Sequence, residues 1–232
     1  RELCNGLAKC ASGTRPDIAY AVGMLHRCIH CPNEDVVAAA QRVLGYLERN
    51  SNIGLTYKCS SKPLHGMTDS DWALDHSTSG WVFQCSTAAI DWGSTIQSTI
   101  ALSSCEAEIM AAATAANQAI HLNDLMNGLG HTSQSPMALG IDNKAARDLA
   151  YNPEHHDKTK HIPREFFRIR DYVENHRLTV PYVNTTDNIA DFFTKPLPLK
   201  HFISFRDKIM NIRTQSGQET CNTNQKLRLP VA

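Results

Sequence analysis

Three aspartates stand close together in "TDSDWALD", at positions 69, 71 and 75, in a stretch that otherwise reads as the end of a strand. Carboxylates placed where a core strand usually takes Val or Ile are either solvated or held close enough to grip a cation. Asp69 and Asp71 are two apart and so share a strand face. Asp69 precedes the expected break in pairing and is the preferred ligand, and Asp75 reads as a turn residue. Further along, Glu106 and Glu108 compete at the start of a helix. Ser103 followed by Glu106 makes a capping box, which gives Glu106 a structural task. Below Glu108, helical spacing meets Ala112, Ala115, Ala119, Leu122 and Met126, an apolar stripe, whereas the stripe below Glu106 is mixed. Glu108 therefore tops the face that lies on a sheet, where a carboxylate needs a partner. Asp142 closes the strand-like "MALGID", and Asp191 lies in the helical "NIADFF" after the last strand. For each acid alone a solvated surface carboxylate is the plainer reading. Spacing by itself leaves that reading and a shared metal site level.

The elements that would position these acids follow from periodicity. Helices are predicted over 14–30, with Thr14 as cap and Pro16 in the first turn, and over 34–50, capped by Asn33. From residue 54 the period shortens, and "GLTYKC", "PLHGMTDSDWA", "SGWVFQCS" and "AAIDWGS" read as strands separated by turns. A long helix over 102–127 ends at Gly128 and Gly130. Then come the strand "MALGID", a helix over 143–151, a His-rich loop, a basic helix from Pro163, the strand "LTVPYV", the turn "NTTDN" and two short helices to about Arg213. The order predicts an α/β fold: a mixed five-stranded sheet, three antiparallel strands then two parallel, with helices on both faces. The expected division is a helical segment over 1–53, a sheet domain over 54–213 and a polar, aperiodic, disordered tail over 214–232.

Composition bounds the function. Acidic and basic residues balance at 23 each, so a nucleic-acid surface must come from local clustering. The expectation is a chain with no membrane span and no secretion signal. Eight scattered cysteines suggest reduced thiols. Cys28 and Cys31 have zinc-ligand spacing but no second ligand pair nearby, so packing against a neighbouring helix is expected of them instead.

"TDSDWALD", "STSGWVF", "STIALSSCEAEIMAA", "DNKAARDLAYNP", "TKHI" and "YVNTTDNIADFFTKPLP", in this order, resemble the ribonuclease H domain of copia-type LTR retrotransposon Gag-Pol polyproteins. "TRPDIAYAVGML" and "AAAQRVLGYLERNSNIGLTY" resemble the connection segment that precedes that domain. The resemblance covers about residues 12–212. It implies a ribonuclease H-like fold and a hydrolase that cuts the RNA strand of RNA/DNA hybrids during reverse transcription. It further implies that Asp69, Glu108, Asp142 and Asp191 hold two Mg²⁺ ions, with Mn²⁺ as a substitute, and that Asp71 supports the shell around them. Two such ions roughly 4 Å apart want hard oxygen ligands, and they assist attack by water on the scissile phosphate without a side-chain nucleophile.

Lys144, Lys158, Lys160, His161 and Arg164 are the residues expected to meet the hybrid. They belong to a basic stretch that also holds Arg147, Arg168 and Arg170, diluted by Asp157, Glu165 and Asp171. A solvated helix face is the competing reading. Trp72, Trp81 and Trp92 are expected to pack across the sheet rather than stack on bases. The implied partners are the hybrid and the reverse transcriptase domain of the same polyprotein, in a cytoplasmic virus-like particle or the nucleus, with no membrane.

The sequence departs from the family pattern in three places. The turn after Asp75 is short and lacks basic residues. Pro163 stands where an acid is typical. "NTTDN" has no histidine, which leaves His161 as the candidate substitute. Without polymerase, integrase or zinc-knuckle motifs, the chain reads as the terminal piece of a polyprotein. A catalytically weak or domesticated remnant that binds nucleic acid or a partner is the alternative function. An exonuclease or integrase-like transferase would distribute its acids differently.

Overall fold

A computed structural model describes residues 1–131, 136–151 and 168–212. Its centre is a five-stranded sheet built from β1 (His65–Asp71), β2 (Thr78–Cys85), β3 (Ala88–Ile96), β4 (Met137–Gly140) and β5 (Leu178–Thr179), in the order β3-β2-β1-β4-β5. The first three strands pair antiparallel, and β4 and β5 add in parallel. This is the mixed topology of the ribonuclease H-like fold. β1 pairs with β2 through Asp71 but with β4 only from His65 to Met67. Asp69 therefore stands just past the end of the parallel ladder, at the carboxyl edge of the sheet.

Alternation along β2 sorts the two cores. Trp81 and Phe83 point to one face and Val82 to the other. On the first face lies α4 (Ser104–Gly128), whose Ala112, Ala115, Ala119 and Leu122 pack on Phe83, Leu139, Ile141 and Leu178. The stripe below Glu108 is thus the sheet-facing one. The stripe below Glu106 is buried too at its start, because every residue from Glu106 to Ala113 is enclosed. Helices α5 (Lys144–Tyr151) and α6 (Arg168–Glu174) complete this layer.

On the second face, the 3-10 turn Ile189–Phe193 and α7 (Leu199–Met210) bring Phe192, Phe193, Phe205, Ile209 and Met210 against Val82 and Ala89. Small residues permit the close approaches. A Cβ on Gly66 would meet the Phe83 ring at 2.3 Å, and one on Gly80 would meet Thr194 at 2.6 Å and Phe193 at 2.9 Å.

The N-terminal segment folds as three helices, α1 (Glu2–Gly13), α2 (Ala19–Arg27) and α3 (Glu34–Arg49), around Leu7, Ile18, Val22, Leu25 and Ala40. It is fixed to the sheet domain by several polar ties. Trp92 Nε1 donates to the Ala11 carbonyl at 2.7 Å, and the Arg27 guanidinium donates to Thr78 Oγ1 at 2.7 Å. Between α1 and α2, Arg15 and Asp17 form a buried ion pair at 2.7 Å, and the Tyr46 hydroxyl donates to the same carboxylate at 2.7 Å. Burial, reinforced by the charge of Asp17, pushes the Tyr46 hydroxyl up to about 12.

Several expectations are corrected here. Thr14 is not the cap of the second helix. It closes α1, and the chain passes through the 3-10 turn Pro16–Ile18 before α2 begins, because the residue before a proline avoids helical geometry. The helix expected to reach His30 ends at Arg27. Asn33 does cap α3, accepting from Val36 N–H at 2.9 Å.

"GLTYKC" forms no strand. Thr56 N–H bonds to the Met210 carbonyl, Lys58 N–H to Thr87 Oγ1 and the Tyr57 hydroxyl to the Ala89 carbonyl, so the segment is tied to α7 and β3 without a ladder. "LTVPYV" contributes only a two-residue strand and a bridge between Ile141 and Tyr182, since Pro181 has no N–H to give.

Cys28 and Cys31 are exposed rather than packed, and all seven cysteines among the described residues are free thiols. The tail over 214–232 lies outside the described residues. Among the described residues no helix is long and apolar enough to cross a membrane.

Candidate active site

Asp69, Glu108 and Asp142 each offer a carboxylate oxygen, and these atoms all lie within 4.8 Å of one another. The acids come from the C-terminal half of β1, the second turn of α4 and the residue after the Ile141 bridge. Asp69 is 2% exposed and Glu108 7%, whereas Asp142 is half-buried. Among the described residues this is the only group of three or more acids, histidines or cysteines arranged to hold a metal ion.

Local chemistry sets each side chain. Ser103 caps α4 by accepting from Glu106 N–H at 3.2 Å, and Glu106 reaches back to Leu102 N–H at 2.8 Å. That closes the helix start and leaves Glu108, two residues on, facing β1. There its Oε1 accepts from Ser70 N–H at 3.3 Å, while its Oε2 is buried with no hydrogen-bond partner. Asn143 caps α5 by accepting from Ala146 N–H at 3.0 Å, which fixes the backbone beside Asp142.

Asp191 lies outside the three-acid group, although its charge acts on Asp69. Its 3-10 turn is anchored by the fully buried Asn188, whose Nδ2 donates to the Thr68 carbonyl of β1 at 3.0 Å and whose Oδ1 accepts from Ala190 N–H at 3.2 Å. The turn carries two further groups into the site. Thr194 Oγ1 donates to Asp69 Oδ2. Lys195 Nζ lies 2.9 Å from Asp191 Oδ1 and 3.7 Å from Asp69 Oδ2.

Crowding of like charge in a dry site disturbs these acids. Burial, and then the charge of Asp191, push Asp69 up to about 7, against the opposing pull of Thr194 and Lys195. Burial, and then the charges of Asp69 and Asp142, push Glu108 up to about 8. Burial works to lower Lys195, but Asp69, Asp191 and Asp142 outweigh it and hold the ammonium above its usual value. An orphaned buried oxygen and two carboxylates kept near neutrality fit a hard divalent cation, which would supply the missing counter-charge through oxygen ligands.

Among the residues expected to meet substrate, Lys144 is exposed two residues after Asp142, with Nζ 5.3 Å from the Tyr182 ring centroid. Lys158, Lys160, His161 and Arg164 lie outside the described residues. Arg170 does not belong to a basic surface. It is buried and its Nε donates to the Leu149 carbonyl at 2.6 Å, joining α6 to α5. Asp71 is exposed, and its charge adds to burial in raising the Tyr20 hydroxyl of α2. Trp81 packs over Gly93 and donates to Asp91, and Trp92 reaches α1, whereas Trp72 is 43% exposed with its indole N–H on the Ala101 carbonyl.

Sequence reasoning missed Asn188, Thr194, Lys195 and Gly80. The signal available for two of them was position, since Thr194 and Lys195 follow Asp191 by three and four residues, one turn on. Gly80 sits opposite Asp69 in the ladder and admits Thr194 and Phe193. Gly80→Ala is expected to push the turn off β2. The predicted cost is about 2 kcal/mol of stability, with weaker divalent-ion binding as Asp191 and Thr194 retreat. Urea unfolding alongside a metal titration measures both, and an unchanged titration would separate Gly80 from the site.

No protein-family model matches the chain. It is 36% identical over 201 residues to the retrovirus-related Pol polyprotein from transposon RE1 of Arabidopsis thaliana, covering 84% of this chain and 14% of that protein. With the Pol polyprotein from transposon TNT 1-94 of Nicotiana tabacum it shares 36% over 193 residues, covering 82% of this chain and 14% of that one. The chain thus spans about one seventh of these relatives' length. In fold it is similar to a solved foamy viral protease-reverse transcriptase in complex with RNA/DNA hybrid, with a TM-score of 0.50 at 12% identity, over 97% of this chain and 27% of that one.

Proposed function

The chain belongs to the retrovirus-related Pol polyproteins of copia-type transposons, and we propose that it is their ribonuclease H: a metal-dependent endonuclease for the RNA strand of RNA/DNA hybrids. The observation that carries the reading is the meeting of Asp69, Glu108 and Asp142 within 4.8 Å, from three separated segments, with Glu108 Oε2 left unpartnered. In this reading Asp69, Glu108, Asp142 and Asp191 hold Mg²⁺ or Mn²⁺. When bound, such ions supply the positive charge that makes water a nucleophile towards the scissile phosphate and steadies the leaving oxygen.

The chain's own residues hold the acids in place. Thr194 fixes the rotamer of Asp69, the Ser70 N–H aims Glu108, and Asn188 locks the Asp191 turn onto β1. Lys144, beside Asp142, is positioned to neutralise a phosphate of the bound hybrid, and recognition would rest on helix shape and 2′-hydroxyls rather than base sequence. The partner within the polyprotein is the reverse transcriptase domain, and the setting is a cytoplasmic virus-like particle or the nucleus.

The test is incubation with labelled RNA/DNA hybrid, matching duplex DNA and single-stranded RNA, with and without Mg²⁺ or Mn²⁺. Cleavage confined to the RNA of the hybrid and lost in chelator is expected. Binding of the hybrid without cleavage at any ion concentration would instead identify a catalytically inert nucleic-acid-binding remnant.

A further inference from the structure

The ammonium of Lys195 is the one cation drawn into the acid site by the described residues. It lies 2.9 Å from Asp191 Oδ1 and 3.7 Å from Asp69 Oδ2. A divalent ion bound by the same two carboxylates would sit closer, about 2.1 Å from each oxygen, in space that the ammonium overlaps. The Asp69–Glu108–Asp142 group is complete without Asp191, so the four acids divide into a three-oxygen cage and an arm already closed by a tethered positive charge.

We propose that Lys195 fills the second cation position of this site, so that one divalent ion enters the three-acid cage with Lys195 in place and a second binds Asp69 and Asp191 only by displacing the ammonium. The inference rests on the metal-dependent reading above. An ammonium and a dication at contact distance from the same oxygen repel strongly in a poorly hydrated site. One must leave, and Lys195 can: its side chain is 33% exposed, with four carbons of flexible stem to carry the charge to solvent. The backbone is not free to follow. Lys195 N–H bonds to the Asp191 carbonyl and Pro196 restricts its conformation, so exchange is a rotamer change of one side chain. Lys195 is therefore a positioning residue that holds Asp191 ready and sets the concentration at which the second ion enters.

The test is titration of the metal-free protein with Mn²⁺ at fixed ionic strength, reading unbound Mn²⁺ by electron paramagnetic resonance, for wild type, Lys195→Met, Lys195→Arg and Asp191→Asn. Wild type is expected to bind one ion and a second at least tenfold more weakly. Lys195→Met should tighten the second site by at least tenfold more than the first, a split that a general charge effect on both sites would not produce. Lys195→Arg should keep the wild-type pattern, and Asp191→Asn should remove the second site. Lys195→Met isotherms that superimpose on wild type, or that shift both sites equally, would overturn the role of Lys195 and leave the nuclease reading standing. Failure of every protein to bind Mn²⁺ would overturn both.

Discussion

Asp142→Asn is expected to lower cleavage of the hybrid by at least about a thousandfold while the metal-free protein melts at the same temperature or slightly higher. The two effects have opposite signs for one reason. Asp142 is half-buried and adds negative charge beside Asp69 and Glu108, helping to push both upward. Without metal, that charge is a liability and its removal relieves repulsion. With metal, the same charge is a ligand, and asparagine matches its volume but not its affinity for a hard cation. Single-turnover cleavage at saturating Mg²⁺ measures the first effect and thermal melting in chelator the second. Asp71→Asn and Asp75→Asn serve as controls. Both acids are exposed and outside the three-acid group, and activity within about twofold of wild type is expected of each. More than a tenth of wild-type activity in Asp142→Asn would remove Asp142 from the reacting centre.

Local signals place Asp142 at a strand end but leave a solvated carboxylate and a metal ligand level, and the family resemblance is what favours the ligand. Glu108 was separable from Glu106 because a capping box and an apolar stripe are both read within one helix, and the structure shows Glu106 bonded at the helix start. The strand end near Asp142 follows from the turn residues nearby, whereas alternation puts Asp69 and Asp71 on one face and does not choose between them. What stayed illegible is non-local. Thr194 reaches Asp69 and Asn188 reaches Thr68 across more than a hundred residues, from a 3-10 turn of five residues too short to show a period. The role of Gly80 exists only in the gap between β2 and that turn. "GLTYKC" has strand-like composition, yet its bonds go to α7 and side chains, a tertiary outcome that composition does not carry. Arg170 matches the spacing of the other basic residues, although it is buried and its Nε donates to the Leu149 carbonyl of α5.

The raised acids also fix how the protein responds to pH. In the metal-free state Asp69 rises from 3.8 to about 7 and Glu108 from 4.5 to about 8. Between the lower and upper values the folded chain retains protons that the unfolded chain has released. The contribution of these groups to stability is therefore full below about pH 4 and lost as pH rises through 7 to 8, opposite to the usual behaviour of a paired carboxylate. From pH 6 to 8.5, where ordinary carboxylates no longer titrate, the melting temperature in chelator is expected to fall by on the order of 5 °C. Asp69→Asn should flatten much of that slope, which separates it from the titration of histidines elsewhere. Saturating Mg²⁺ should reverse the trend, because a cation bound by these oxygens displaces their protons and binds more tightly as pH rises. Calorimetry in buffers of different ionisation heat would register the protons released. A melting temperature in chelator that is equal for wild type and Asp69→Asn at every pH in this window would mean that the acids are ionised and separately solvated, and that the site does not store the charge repulsion on which its affinity for a dication depends.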